Sequence, residues 1–172
     1  MKSRIKALSY SAILVALGVG LGYVLAWIPN VELVSFTAVL AGFMLGMKWG
    51  IIDGALIFGL YSFLSPYGMA PPPLLVAQII GGTFLGFLGA TFSKGLRKPV
   101  YAAFVGFLGT LFFDIITNAS GFFAFPTRHT FIAYIIAGLG FTVIHLVSNT
   151  VLFVILFPVL SSIVEKISIS KN

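Results

Sequence analysis

Residues 111–121, LFFDIITNASG, place one carboxylate, Asp114, in the middle of a run otherwise apolar enough to cross a bilayer. Thr117 and Asn118 follow at i+3 and i+4, so on a helix the three side chains share one face. A charged carboxylate at the centre of a spanning helix costs roughly 2.5–3.5 kcal/mol on insertion scales, so it faces protein or water and takes a partner. The best partner lies downstream. Residues 142–149, TVIHLVSN, repeat the arrangement with His145, Ser148 and Asn149 at i, i+3 and i+4 inside another apolar run. Two polar stripes in one apolar chain point to a shared interior site.

The rest of the chain has the same character. Of its 172 residues 59% are hydrophobic and only 8% charged, with a mean hydropathy of +1.12, which marks an integral membrane protein whose partner is the lipid bilayer. The segments between apolar runs are too short for a separate aqueous domain, so residues 1–172 read as a single transmembrane domain. The net charge of +6 resides between the apolar segments, where it sets topology and carries no nucleic-acid reading. With no cysteine, thiolate metal sites, disulfides and a cysteine nucleophile are excluded. Lys2, Arg4 and Lys6 resemble the start of a signal peptide, but the apolar stretch after them is too long for one, so it reads as an uncleaved first span.

That span is expected over 7–28, ending at WIPNVE, where Pro29 and Asn30 stop the helix and Glu32 marks an aqueous edge. Residues 33–64 fit either one very long helix or two short spans, 33–47 and 49–65, hinged at Lys48-Trp49-Gly50. The loop SPYGMAPPP follows, then spans over 74–93, 100–124 and 131–162, separated by KGLRKP and FPTRH. With six spans and a cytoplasmic N-terminus, Lys2, Arg4, Lys6, Lys48, Lys94, Arg97, Lys98, Lys166 and Lys171 all face the cytoplasm, leaving only Arg128 outside. Five spans would divide them and bring Lys48 near mid-membrane. The expected fold is therefore all-α, a bundle of six transmembrane helices with both termini cytoplasmic, multi-pass in the cell (inner or plasma) membrane. Gly42, Gly46, Gly50 and Gly54, with Gly82 and Gly86, recur at fourfold spacing and predict close helix packing; Ala12, Ala16 and Gly20 give the first span a similar face.

Asp114 and His145 fall near mid-membrane, where a structural pair, the wall of a ligand site and a proton relay are all open readings. No H-x-x-H, H-E-x-x-H or acidic cluster is present, so no metal site is expected; Ser148 beside His145 lacks the makings of a triad. No catalytic residue, cofactor or enzymatic activity is assigned. At the outer ends, Asn30, Glu32 and Ser35 flank the first break, Tyr61, Tyr67 and Gln78 the second, and Phe122, Phe123, Phe125, Arg128 and His129 the third. Trp27, Tyr67 and the phenylalanines also fit an interfacial aromatic belt. Asp53 reads as an interfacial or packing residue near Lys48. Together with Asp114, Thr117, Asn118, His145 and Asn149, the outer polar groups form a cup suited to a small molecule with a flat apolar body and hydrogen-bonding edges, not to a polyanion.

The chain resembles a substrate-binding (S) component of an energy-coupling factor (ECF) vitamin transporter. The resemblance rests on the basic-inside six-span chain, NVELVSFTAVLAGFMLGMKWG, the SPYGMAPPP loop, FDIITN and the ending HLVSNTVLFVILFP. It implies high-affinity capture of a vitamin from outside, with riboflavin-type or cobalamin-type ligands as candidates, in a pocket gated by the loops after helices one, three and five. It also implies a shared transmembrane coupling subunit and two ATPase subunits as partners, with Ala12 and Ala16 matching the family's Ala-x-x-x-Ala docking motif. Two alternatives remain: a solitary proton-coupled transporter using Asp114 and His145, and a non-transporting membrane scaffold.

Overall fold

Proline and glycine mark where the helices begin and turn. The structure, a computed structural model describing residues 2–169 with side chains from 4 to 164, contains α1 (Lys2–Val24), α2 (Val34–Leu45), α3 (Met47–Phe63), α4 (Pro72–Thr91), α5 (Pro99–Ala124) and α6 (Phe131–Ile169). Pro72 and Pro99 occupy the first turns of α4 and α5, where a missing N–H is harmless and the fixed φ suits a helix. Four helices, α1, α4, α5 and α6, are long and apolar enough to cross a membrane.

Most helix ends shift by a few residues from the sequence reading, α6 running on to Ile169 rather than 162, and two boundaries differ for a clear physical reason. The first helix ends at Val24, four residues short of 28, because the approach to Pro29 unwinds it: Ala26 and Ile28 donate only three residues back, to Tyr23 and Leu25. The hinge between α2 and α3 is the single residue Gly46, at φ 81° and ψ −177°, rather than Lys48-Trp49-Gly50. That conformation is open essentially to glycine alone. Gly46 therefore turns the chain, while its neighbours in the fourfold series do the packing.

A Cβ on Gly54 would run into the Gly82 carbonyl, one on Gly86 into the Gly50 carbonyl, and one on Gly42 into Gly86, so α2, α3 and α4 meet backbone to backbone. This close approach is what the small-residue spacing anticipated. With its 12 residues, α2 rises only about 18 Å and is buried continuously from Val34 to Gly42, which explains why its apolar residues show no preferred face. It is the central helix, touching each of the other five. Phe36 anchors it to α6, its ring 4.7 Å from that of Phe157 at a 55° tilt and edge-on at 5.5 Å to Phe153.

The helices alternate in direction. The end of α1, the start of α2, the end of α3, the start of α4, the C-terminal half of α5 and the N-terminal half of α6 converge around one set of cavities. Arg4, Lys6, Lys48, Lys94, Arg97 and Lys98 sit exposed on the opposite ends of those elements. The side chains of Lys2 and Lys166, and Lys171 as a whole, lie outside the described residues.

Candidate functional site

Helical spacing brings the two polar stripes into register. Asp114 on α5 and His145 on α6 meet at 2.7 Å between Oδ1 and Nδ1, and both are buried. The other ring nitrogen, Nε2, lies 3.3 Å from Glu32 Oε1, so the imidazole is held between two carboxylates. The residue one turn on, Asn149, donates from Nδ2 to Glu32 Oε1 (2.9 Å) and Thr110 Oγ1 (3.1 Å), and the same nitrogen lies 3.0 Å from His145 Nε2. Phe113 covers the imidazole edge-on, its centroid 6.2 Å away.

The loop after α1 is fastened to this pair. Asn30 adopts φ 59°, a left-handed turn that asparagine tolerates, and its carbonyl accepts from Ser148 Oγ at 2.6 Å. Glu32 Oε2 accepts from the Ser35 backbone N–H at 2.8 Å, placing the carboxylate at the N-terminus of α2, where unpaired amides favour negative charge. Burial raises the Glu32 carboxyl, but the hydrogen bond and charge of His145, with help from Ser35 and Asn149, outweigh it and hold the group below its ordinary value. One acidic side chain therefore ties the loop, α2 and α6 together.

Beside this network lie three cavities with shared walls. One, of about 190 Å³, is lined by Asn30, Glu32, Phe58, Tyr61, Gln78 and His145 among others. A second, of about 290 Å³, is bounded by Gln78, Asp114, Thr117, Asn118, Tyr134 and His145. A third, of about 250 Å³, lies under the α3–α4 loop and includes Tyr61, Tyr67, Gln78 and Phe125. Gln78 lines all three, and its Oε1 is buried without a hydrogen-bond partner, as is Asp114 Oδ2. Above them, Tyr67 donates to the Ala26 carbonyl at 2.6 Å and Tyr23 to the Leu64 carbonyl at 2.9 Å, joining the first and second loops.

The structure thus gathers Asn30, Glu32, Tyr61, Tyr67, Gln78, Asp114, Thr117, Asn118 and His145 around these walls. Ser35 and Asn149 stand behind them: both are fully buried, and they act through Glu32. Thr117 spends its hydroxyl on the Phe113 carbonyl, and Asn118 donates to Thr142 across the helix pair. Arg128 and His129 are exposed on the third loop, and the cavity linings do not include them. The sequence reading passed over Thr110, Phe113 and Tyr134. Thr110 sits one turn before Asp114 on the same helical face, a spacing that would have found it. Tyr134 had no such signal, since a tyrosine near a span end fits an interfacial belt equally well.

Away from the cavities, Asp53 is fully buried and accepts from Ser11 Oγ at 2.5 Å, bracing α3 against α1. Ala12, Ala16 and Gly20 form an exposed stripe along α1, and a Cβ at Gly20 would touch nothing within 4 Å. Among the described residues no group of acidic, histidine or cysteine side chains could hold a metal ion. Compared with known protein families, curated proteins and solved structures, the chain matches none of them.

Proposed function

We propose that this chain is a membrane-embedded capture subunit for a small vitamin-like molecule, working as the S component of an ECF-type importer. The observation that carries the reading is the group of partly open cavities sharing Gln78, flanked by the converging ends of the helices and by loops that bond to one another. Volumes of about 190–290 Å³ fall just below the roughly 300–1,000 Å³ of ordinary ligand pockets and favour a ligand of one or two rings over a corrin. In this reading all six helices span the cell membrane, with the basic end and both termini in the cytoplasm. The cavities then open toward the outside. Of the helices, α2 and α3, with 12 and 17 residues, are shorter than the roughly 30 Å hydrocarbon core; α2 is wrapped by its neighbours and meets little lipid.

The exposed Ala12-Ala16-Gly20 stripe suits close docking of a partner helix, the role expected of the coupling subunit. The chain would bind and release; ATP hydrolysis would belong to its partners. Mass spectrometry of small molecules released from protein purified in mild detergent tests the capture role: a stoichiometric vitamin is expected. An empty protein that also gives no thermal shift with a vitamin panel would overturn it. Ala16→Trp should abolish cellular uptake while leaving binding by the isolated chain intact; loss of both would remove the docking assignment.

A second reading draws on the unbroken Asp114–His145–Glu32 contacts, which have the form of a proton relay. Uptake by the chain alone, abolished by a protonophore, would favour it.

A further inference from the structure

The cavity walls carry a charge imbalance. Two carboxylates, Asp114 and Glu32, face one imidazole, His145, so with both acids ionised the cluster is negative whether or not the ring carries its second proton. The two ring states make different hydrogen bonds but leave the same sign. A doubly protonated ring donates to both carboxylates; a singly protonated ring donates to Asp114 and accepts from Asn149. No lysine or arginine appears in the linings of the three cavities, although the chain as a whole has a net charge of +6. The nearest basic candidates by position, Arg128 and His129, are exposed on the loop before α6.

The vacant hydrogen-bonding capacity has the same sign. Asp114, whose side chain is only 9% exposed, has Oδ1 engaged by His145 while Oδ2 is buried without a partner. Gln78 Oε1, on another wall of the same cavity, is likewise buried and unpartnered. Both oxygens are acceptors, and a buried acceptor facing nothing is costly enough that such groups are normally satisfied. Aromatic and apolar side chains share these walls with Thr117, Asn118 and Thr142: Phe113 and Leu74 line this cavity, and Phe58 lines the one beside it. A water could fill one acceptor, but a net negative charge on buried carboxylates calls for a positive group.

Building on the capture function proposed above, we infer that the site selects a small, flat organic cation, such as an amidine or a protonated amino-heteroaromatic ring. Its N–H donors meet Asp114 Oδ2 and Gln78 Oε1, its charge balances the carboxylates, and its ring lies against Phe113. Carboxylate-bearing and phosphate-bearing ligands are excluded, because each would add negative charge where no basic side chain answers it. A bare inorganic cation is disfavoured by size, since about 290 Å³ is far more than one ion fills, and by the lack of a metal-holding cluster among the described residues.

The test uses the full chain in lipid nanodiscs and three probes of one shape and different charge: benzamidine, benzamide and benzoate. Calorimetric titration at millimolar concentration should rank them in that order, with benzamidine at least about tenfold tighter than benzoate. Asp114→Asn should erase the preference. Gln78→Ala, outside the ion network, should weaken benzamidine while the apo protein keeps its melting temperature. Benzoate binding as tightly as benzamidine, an unchanged ranking in Asp114→Asn, or no binding of benzamidine would each overturn the inference. Identifying the molecule that co-purifies separates this claim from capture itself. A stoichiometric acid would sink the charge class and leave capture standing; an empty protein that also ignores a vitamin panel would sink both.

Discussion

Replacing His145 with alanine removes the imidazole held between two interior carboxylates. Asp114 Oδ1 loses its 2.7 Å partner, and since Oδ2 already has none, the carboxylate is left stranded. Glu32 fares better, keeping the Ser35 N–H and the Asn149 amide, so most of the damage falls on Asp114. Breaking a buried pair by deleting one member costs about 3–5 kcal/mol. In a chain of 172 residues each kcal/mol moves the melting temperature by about 2–4 °C, giving an expected fall of about 6–20 °C for His145→Ala. Intrinsic tryptophan fluorescence during heating in detergent reads it directly. The companion variant Asp114→Asn keeps the shape and removes the stranded charge, so the double variant should recover about 1–3 kcal/mol relative to the sum of the single effects. A melting temperature for His145→Ala within about 2 °C of wild type would refute the electrostatic coupling and leave the three side chains as mere neighbours.

Two further perturbations probe the scaffold and the loops. Gly54→Leu drives a side chain into the Gly82 carbonyl and should cost about 3 kcal/mol, seen as a lower melting temperature and loss of monodispersity; unchanged stability would show that α3 and α4 do not depend on backbone contact. Tyr67→Phe deletes the bond to the Ala26 carbonyl and should speed release of the co-purifying ligand by about 2–10-fold without altering stability, whereas an unchanged off-rate would remove the latch role of the loop pair.

Much of the architecture was legible because hydropathy is a local property. A run of apolar residues is read without knowing its neighbours, and the four helices long and apolar enough to cross a membrane follow from it. Glycine spacing was equally local, and it marked the face along which α2, α3 and α4 approach. The hinge was misplaced because both Gly46 and Gly50 satisfy that spacing. Only the backbone conformation at Gly46, with φ 81°, tells the turning glycine from the packing one.

Within the site, the sequence could mark Asp114 and His145 as expensive residues needing partners, since the cost of a polar group in an apolar run can be read one helix at a time. That they meet each other, and that Glu32 joins them, was decided by the fold. Glu32 and His145 are 113 positions apart, and a short loop acid looks solvent-facing until α6 is packed against it. The same holds for Asn149, which lies behind the cavity, and for Asp53, where burial against Ser11 selects the packing role over the interfacial one. By itself, then, the sequence determined the apolar character of the chain, the number of its helical runs and the residues too polar to be left alone in them. Tertiary structure alone determined which of those residues share a cavity and which acids meet its one imidazole, because burial and pairing depend on contacts between elements that no stretch of sequence contains.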